Sequence, residues 1–237
     1  MEPRIQLTSV QKTYLEGERK HEVLTDVDLT VQAGELVALL GPSGCGKSTL
    51  LNLIAGLDVP TDGDVRIDGQ SLSDLDERAR TRLRRDRVGF IFQFFNLVPT
   101  LTVEENLFLP LELAGKLNAE GRQRGHDLLE QVGLRDRASS FPDVLSGGQQ
   151  QRVAIARALI HQPAVILADE PTGNLDEEAA QTVLDLLGQA VREAGVTLIM
   201  ATHSRDAASI ADRVLRVHLG QLETSDWSGA PAVAAAS

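Results

Sequence analysis

The chain has 237 residues, enough for one large domain or two small ones, and its 42% hydrophobic and 24% charged content argues against global disorder. A net charge of −11 argues against a broad nucleic-acid footprint, which needs a basic face, and leaves open only a local basic patch. The single cysteine, Cys45, excludes an intrachain disulfide, and the sequence has no apolar signal-peptide core and no run near the ~18 apolar residues of a membrane helix, so we expect a cytoplasmic chain whose membrane role comes through a partner.

In chain order, residues 4–10 alternate as a strand, with Ile5, Leu7 and Ser9 on one face, and 23–31 reads as a second strand. Leu36–Leu40 is a continuous apolar run, as expected of a strand buried on both faces. A glycine-rich loop follows, then a helix over 48–57. Residues 65–67 lie between Asp-Gly turns, and 75–87 reads as a polar helix crowded with Arg78, Arg80, Arg82, Arg84, Arg85 and Arg87. That helix is either a solvated face paired with Asp76, Glu77 and Asp86 or a contact for anionic headgroups. A buried strand over 88–93 leads into a helical insertion from 96 to 146. Beyond it come a helix over 149–161, a strand over 164–168, a helix over Glu177–Ala194, a strand over 197–201, a short helix over 206–211 and a terminal hairpin across Gly220. The Ala/Ser-rich residues 225–237 read as a disordered tail, and the chain has no internal repeat. Alternating strands and helices predict a mainly parallel sheet, whose ligands sit at the carboxyl ends of the strands.

The loop Gly41-Pro42-Ser43-Gly44-Cys45-Gly46-Lys47-Ser48, followed by Thr49, fits G-x-x-x-x-G-K-[ST]. Its glycines let backbone N–H groups face phosphate oxygens, and the helix beginning there points its positive end at the anion. Lys47 supplies a mobile charge for β- and γ-phosphates, and the Ser48 hydroxyl a ligand for Mg²⁺. A second glycine motif, Leu145-Ser146-Gly147-Gly148-Gln149, opens another helix with Ser146 as N-cap; alone it is no more than a helix cap.

Together the two motifs resemble the ATP-binding subunits of ABC transporters, from about residue 14 to 222. The family's features stand in order: Walker A at Gly41 to Ser48, the Q-loop glutamine Gln93, the signature motif at Leu145 to Gln149, Walker B ending at Asp169 with Glu170 after it, the D-loop Asn174-Leu175-Asp176, the switch histidine His203, and Tyr14 where an aromatic stacks on adenine. The resemblance implies an α/β P-loop NTPase fold of RecA type, with a mainly parallel sheet, an N-terminal antiparallel β subdomain and an α-helical insertion. It implies one nucleotide-binding domain over 1–224, with core and β subdomain at 1–95 and 154–224 and the helical subdomain at about 96–153. It also implies roles. Ser48, Gln93 and Asp169 hold Mg²⁺; Glu170, His203 and Gln93 are catalytic. Tyr14, the Walker A residues with Thr49, Ser146, Gly147, Gly148, Gln149 and Asp176 contact ATP, the signature residues doing so across an ATP-bound homodimer.

The segments at 88–97, 102–106 and 167–176 are similar to those of the macrolide-exporter and lipoprotein-release subgroup, with the cell-division ATPase also close. The implied partner is a four-helix integral membrane permease with a periplasmic domain, docking near residues 94–109 and placing the chain peripherally on the inner face of the membrane. There Phe94, Phe95, Leu97 and Leu101 either form a groove for a partner helix or pack the insertion's own core. The other reading is a soluble ATPase regulating cell division or acting on nucleic acid; no direct nucleic-acid contact is expected on the main one.

Overall fold

The structure is a computed structural model that describes residues 2–17 and 19–224. The expected tail 225–237 lies outside the described residues. Two long strands, β1 (Ile5–Glu16) and β2 (Arg19–Val31), pair antiparallel. With β4 (Asp62–Ile67) and β5 (Gln70–Ser71) they make a sheet ordered β2-β1-β4-β5. The second sheet holds β3 (Leu36–Leu40), β6 (Val88–Phe92), β7 (Val165–Asp169), β8 (Thr197–Thr202), β9 (Arg213–His218) and β10 (Gln221–Thr224). Its order is β10-β9-β3-β8-β7-β6, with only β10 antiparallel to its neighbour.

The continuous apolar runs divide between two cores, because a strand's side chains alternate across the sheet. Val37 and Leu39 of β3, Val165 and Leu167 of β7, and Ile199 and Ala201 of β8 face a core shared with the antiparallel sheet and with α1 (Lys47–Ile54). Leu36, Ala38, Ile166, Ala168, Leu198 and Met200 face the opposite core, built with α5 (Gly147–Leu159), α6 (Glu177–Ala194) and the one-turn α7 (Arg205–Ala208). A third core joins α3 (Val103–Leu113) and α4 (Ala119–Gln131) to α5. The expected α/β layout is present, with the antiparallel N-terminal sheet and the helical insertion.

Three local readings are corrected. The alternation over 4–10 breaks at Ser9, whose φ of +46° marks a bulge between Leu7 and Val10. Val10 is therefore buried where Ser9 was expected inward. α2 (Glu77–Arg87) begins two residues later than read, because the Asp76 side chain accepts from Ala79 N and caps it instead of pairing with an arginine. Arg80, Arg84, Arg85 and Arg87 of α2 pair with Glu77, Asp86 and Asp68.

Candidate functional site

The four strand ends that matter lie side by side, in the order β3-β8-β7-β6. They deliver Gly41, His203, Glu170 and Gln93 to one edge. The loop after β3 turns into α1 through Gly46, at φ +105°, where a side chain would meet Leu24 and the Val23 carbonyl. Gly41 has its own constraint, since a Cβ there would sit 2.6 Å from the Val217 carbonyl oxygen and 2.8 Å from Cys45 Sγ. Lys47 is buried, and its Nζ donates to the carbonyls of Gly41 at 2.7 Å and Pro42 at 2.9 Å, folding the ammonium back over the loop. A cavity of about 380 Å³ opens there, lined by Ser43, Gly44, Gly46, Lys47, Ser48, Thr49, Gln93, Asp169 and Glu170, together with His21 and Val23.

Asp169 ends the apolar β7, and Glu170 follows it into the same cavity. Burial pushes the Asp169 carboxyl above its usual range and Glu170 adds to this, while hydrogen bonding to Ser48 and the Lys47 charge work the other way. Such a carboxylate beside a serine hydroxyl suits a small hard cation. Among the described residues no cluster of three or more His, Cys, Asp or Glu side chains forms a self-sufficient metal site. Any cation here would need other oxygen ligands, as phosphates supply. Glu170 sits at φ +48°, an uncommon backbone conformation for a non-glycine residue. It is held by His203 Nδ1 at 2.9 Å and by the Thr202 hydroxyl at 3.3 Å, and its other oxygen is 3.9 Å from Lys47 Nζ.

The second glycine motif stands apart from this cavity. Ser146 caps α5 in a reciprocal box with Gln149: each backbone N–H donates to the other's side chain. Ser146, Gly148, Gln149 and Asp176 line a separate hollow of about 280 Å³ open to solvent. Asp176 accepts from Ala179 N and caps α6, so within one subunit it accompanies the signature motif and not the phosphate loop. Gln93 bridges the two regions, with Asn174 donating to its carbonyl at 2.9 Å. Arg157 of α5 donates to the carbonyls of Phe95 and Asn96, both in left-handed conformations, and so ties the loop after Gln93 to the signature helix. Composition gave Arg157 no signal, because its partners are backbone carbonyls 61 and 62 residues away.

Tyr14 is half-exposed on β1, and its hydroxyl donates to Asp58 at 2.8 Å. His21, which carried no functional reading from sequence, faces Tyr14 across the β1–β2 ladder and lines the phosphate cavity. The apolar groove is not built from the four residues expected. Phe94 is strongly exposed, but Leu97 packs into the helical core. Instead Leu57, Phe90, Phe92, Leu109, Pro110 and Leu113 form most of an apolar groove of about 470 Å³, with Arg84, Arg85, Asn96, Arg157 and His161 also lining it.

Residues 24–173 match the family model described as ABC transporter. An uncharacterised ABC transporter ATP-binding protein of Mycobacterium tuberculosis is 54% identical over 221 residues, spanning 93% of this chain and 89% of its own. The lipoprotein-releasing system ATP-binding protein LolD of Psychrobacter arcticus is 47% identical over 220 residues, spanning 92% of this chain and 97% of its own. The solved dimeric post-hydrolysis state of the ATP-binding cassette MJ0796, bound to ADP and Pi, superposes with a TM-score of 0.83 at 43% identity, covering 92% of this chain and 96% of that one. None of these relatives lends support to a cell-division or nucleic-acid role. The chain belongs to the ABC transporter family and is one of its ATP-binding, ATP-hydrolysing subunits.

Proposed function

We propose that the chain powers a separate membrane permease by closing as an ATP-bound homodimer and reopening after hydrolysis. The observation that carries this reading is the separation of the two anion-ready helix N-termini. α1 opens the phosphate cavity, while α5, capped by Ser146, opens on a different surface of the same subunit. The solved relative bound to ADP and Pi is dimeric, which supports pairing one subunit's loop with another's signature motif. Ser146, Gly147, Gly148 and Gln149, with Asp176, then contact the ATP held by Gly41 to Thr49 of the partner.

Within each half-site, Lys47 leaves the loop carbonyls for the β- and γ-phosphates, and Tyr14 stacks on adenine. Ser48, Asp169 and Gln93 would hold Mg²⁺, which when bound would supply charge neutralisation at the phosphates. Glu170 orients and polarises the attacking water, with His203 fixing that carboxylate and reaching the γ-phosphate. We take residues 1–224 as one nucleotide-binding domain, with the helical subdomain at about 96–153 carrying motion outward.

The groove between α2, β6 and α3 is where we dock a permease of the four-helix, periplasmic-domain type. The chain would then lie on the inner face of the membrane and perform mechanical export or extraction work. Among the described residues no helix is long and apolar enough to cross a membrane. The similarity to a lipoprotein-releasing ATPase supports that assignment. Glu170→Gln tests the catalytic core of this reading. It should retain ATP, trap a dimer visible by size-exclusion chromatography, and lose phosphate release by about a hundredfold or more. Wild-type turnover in that variant would remove Glu170 from its role.

A further inference from the structure

Tyr14 is fixed by a neighbour on its own strand and by Asp58, 44 residues away. Lys12, two positions earlier on β1, is buried to 7% exposure, and its Nζ stands 4.7 Å from the centroid of the Tyr14 ring. The same ammonium donates to Asp58 Oδ1 at 2.6 Å and to the Val59 carbonyl at 2.8 Å. The other Asp58 oxygen accepts from the Tyr14 hydroxyl at 2.8 Å, and Val59 N donates to Oδ1 at 2.7 Å. Both oxygens of one carboxylate are thus committed, one to the cation over the ring and one to the ring's own hydroxyl. Asp58 follows α1 closely, and α1 is the helix whose first residue is Lys47. A single short helix therefore connects the phosphate loop to the group that pins the aromatic ring.

We propose that Asp58 and Lys12 are positioning residues for the nucleobase: Asp58 fixes the plane of Tyr14 through its hydroxyl, and Lys12 occupies one ring face so that the base stacks on the other. The proposal rests on the reading that Tyr14 stacks on adenine. A cation at that distance sits where the negative face of a ring attracts it, and the face it covers is closed to a base. An exposed tyrosine would otherwise have to be ordered when nucleotide binds, at a cost in affinity of about three- to tenfold for one such side chain. The clamp meets that cost during folding, and α1 sets the spacing between base platform and phosphate loop. Desolvation and then Asp58 raise the phenol of Tyr14 above its ordinary range, while hydrogen bonding to Thr49 opposes them.

The chain has one tyrosine, so its phenolate absorbance band reports Tyr14 alone. Calorimetric titration with ADP would compare wild type, Tyr14→Ala, Tyr14→Phe, Asp58→Asn and the double Tyr14→Phe/Asp58→Asn, with steady-state kinetics in ATP alongside. Tyr14→Phe leaves the Lys12–Asp58 pair in place, so it remains informative if Asp58→Asn folds poorly. We expect Tyr14→Ala to weaken ADP most. Tyr14→Phe and Asp58→Asn should each weaken it by about three- to tenfold, falling on KM rather than kcat, with the double variant no worse than either. In Asp58→Asn the phenol titration should move back toward the ordinary range. If Tyr14→Ala weakens ADP but Tyr14→Phe and Asp58→Asn bind like wild type, the clamp is wrong and stacking stands. Additive losses in the double variant overturn the role given to the hydroxyl, because Asp58 would then act only through Lys12. If Tyr14→Ala binds ADP like wild type, the stacking reading itself fails.

Discussion

Asp169 shows what the phosphate site costs the free subunit. Its carboxyl is raised, chiefly by burial, so between the ordinary carboxylate value and that raised value the folded chain holds more proton than the unfolded chain. Stability from this group therefore falls as pH rises through that window, opposite to the usual ion-paired aspartate. Asp169→Asn should raise the melting temperature of the nucleotide-free, metal-free protein. The gain should shrink as pH is lowered, and the order should reverse with ATP and Mg²⁺ present. A lower melting point for the free variant would mean that burial of Asp169 carries no such penalty. Cys45 offers a second residue-scale test, because its Sγ occupies the space that a side chain at Gly41 would need. Alkylating Cys45 should abolish nucleotide binding, and bound ATP should protect the thiol. Stoichiometrically labelled protein that still binds ATP would contradict this.

At the scale of elements, the helical insertion depends on one close approach. Gly125 of α4 faces Phe108 of α3 so tightly that a Cβ would lie 2.2 Å from the ring. Gly125→Ala must displace a buried aromatic, at about 1–3 kcal/mol. The loss should be confined to the third core, and hydrogen exchange should quicken in α3 and α4 while β3, β7 and β8 stay protected. Exchange that quickens throughout would show that the insertion is not a separable unit. The segment before α3 is secured differently. Asn106 is fully buried, accepts from Val98 N, and donates to the carbonyls of Val98, Leu101 and Thr102. With the Thr102–Glu105 capping box it fixes the start of α3 and hence the groove wall at Leu109 and Leu113.

For the whole molecule, the decisive feature is that the two glycine motifs line separate hollows. Ser146→Arg places a bulky side chain at the mouth of the signature hollow and leaves the phosphate cavity of its own subunit alone. On the dimer reading, this change should leave ATP affinity of the free chain within a few-fold of wild type. It should also abolish the ATP-trapped dimer when combined with Glu170→Gln. Sedimentation with and without ATP would measure this, and a dimer that persists would place the signature motif outside the interface.

The phosphate loop, the buried strands of the parallel sheet and the capped α5 were legible in sequence because each rests on short-range physics. Glycine torsions, alternation across a sheet and a serine beside exposed N–H groups need only neighbouring residues. The carboxylate pair was legible as chemistry, since Asp169 and Glu170 follow an apolar strand. The convergence of Gly41, Gln93, Glu170 and His203 required the strand order β3-β8-β7-β6, which brings four separate carboxyl ends together. The bulge at Ser9, the groove lined by Leu57 and Phe90, the Arg157 tether and the Lys12–Asp58–Tyr14 cluster were not legible. Each depends on a contact between residues well separated in sequence, through packing, a backbone carbonyl or a side-chain pair such as Tyr14–Asp58, where residue type alone carries no address. Sequence by itself determined that the chain carries a nucleotide-phosphate loop and which side chains are the candidates for its chemistry. Only the tertiary structure decided that the second glycine motif lines a different hollow from the first, because that depends on how α5 packs between two cores.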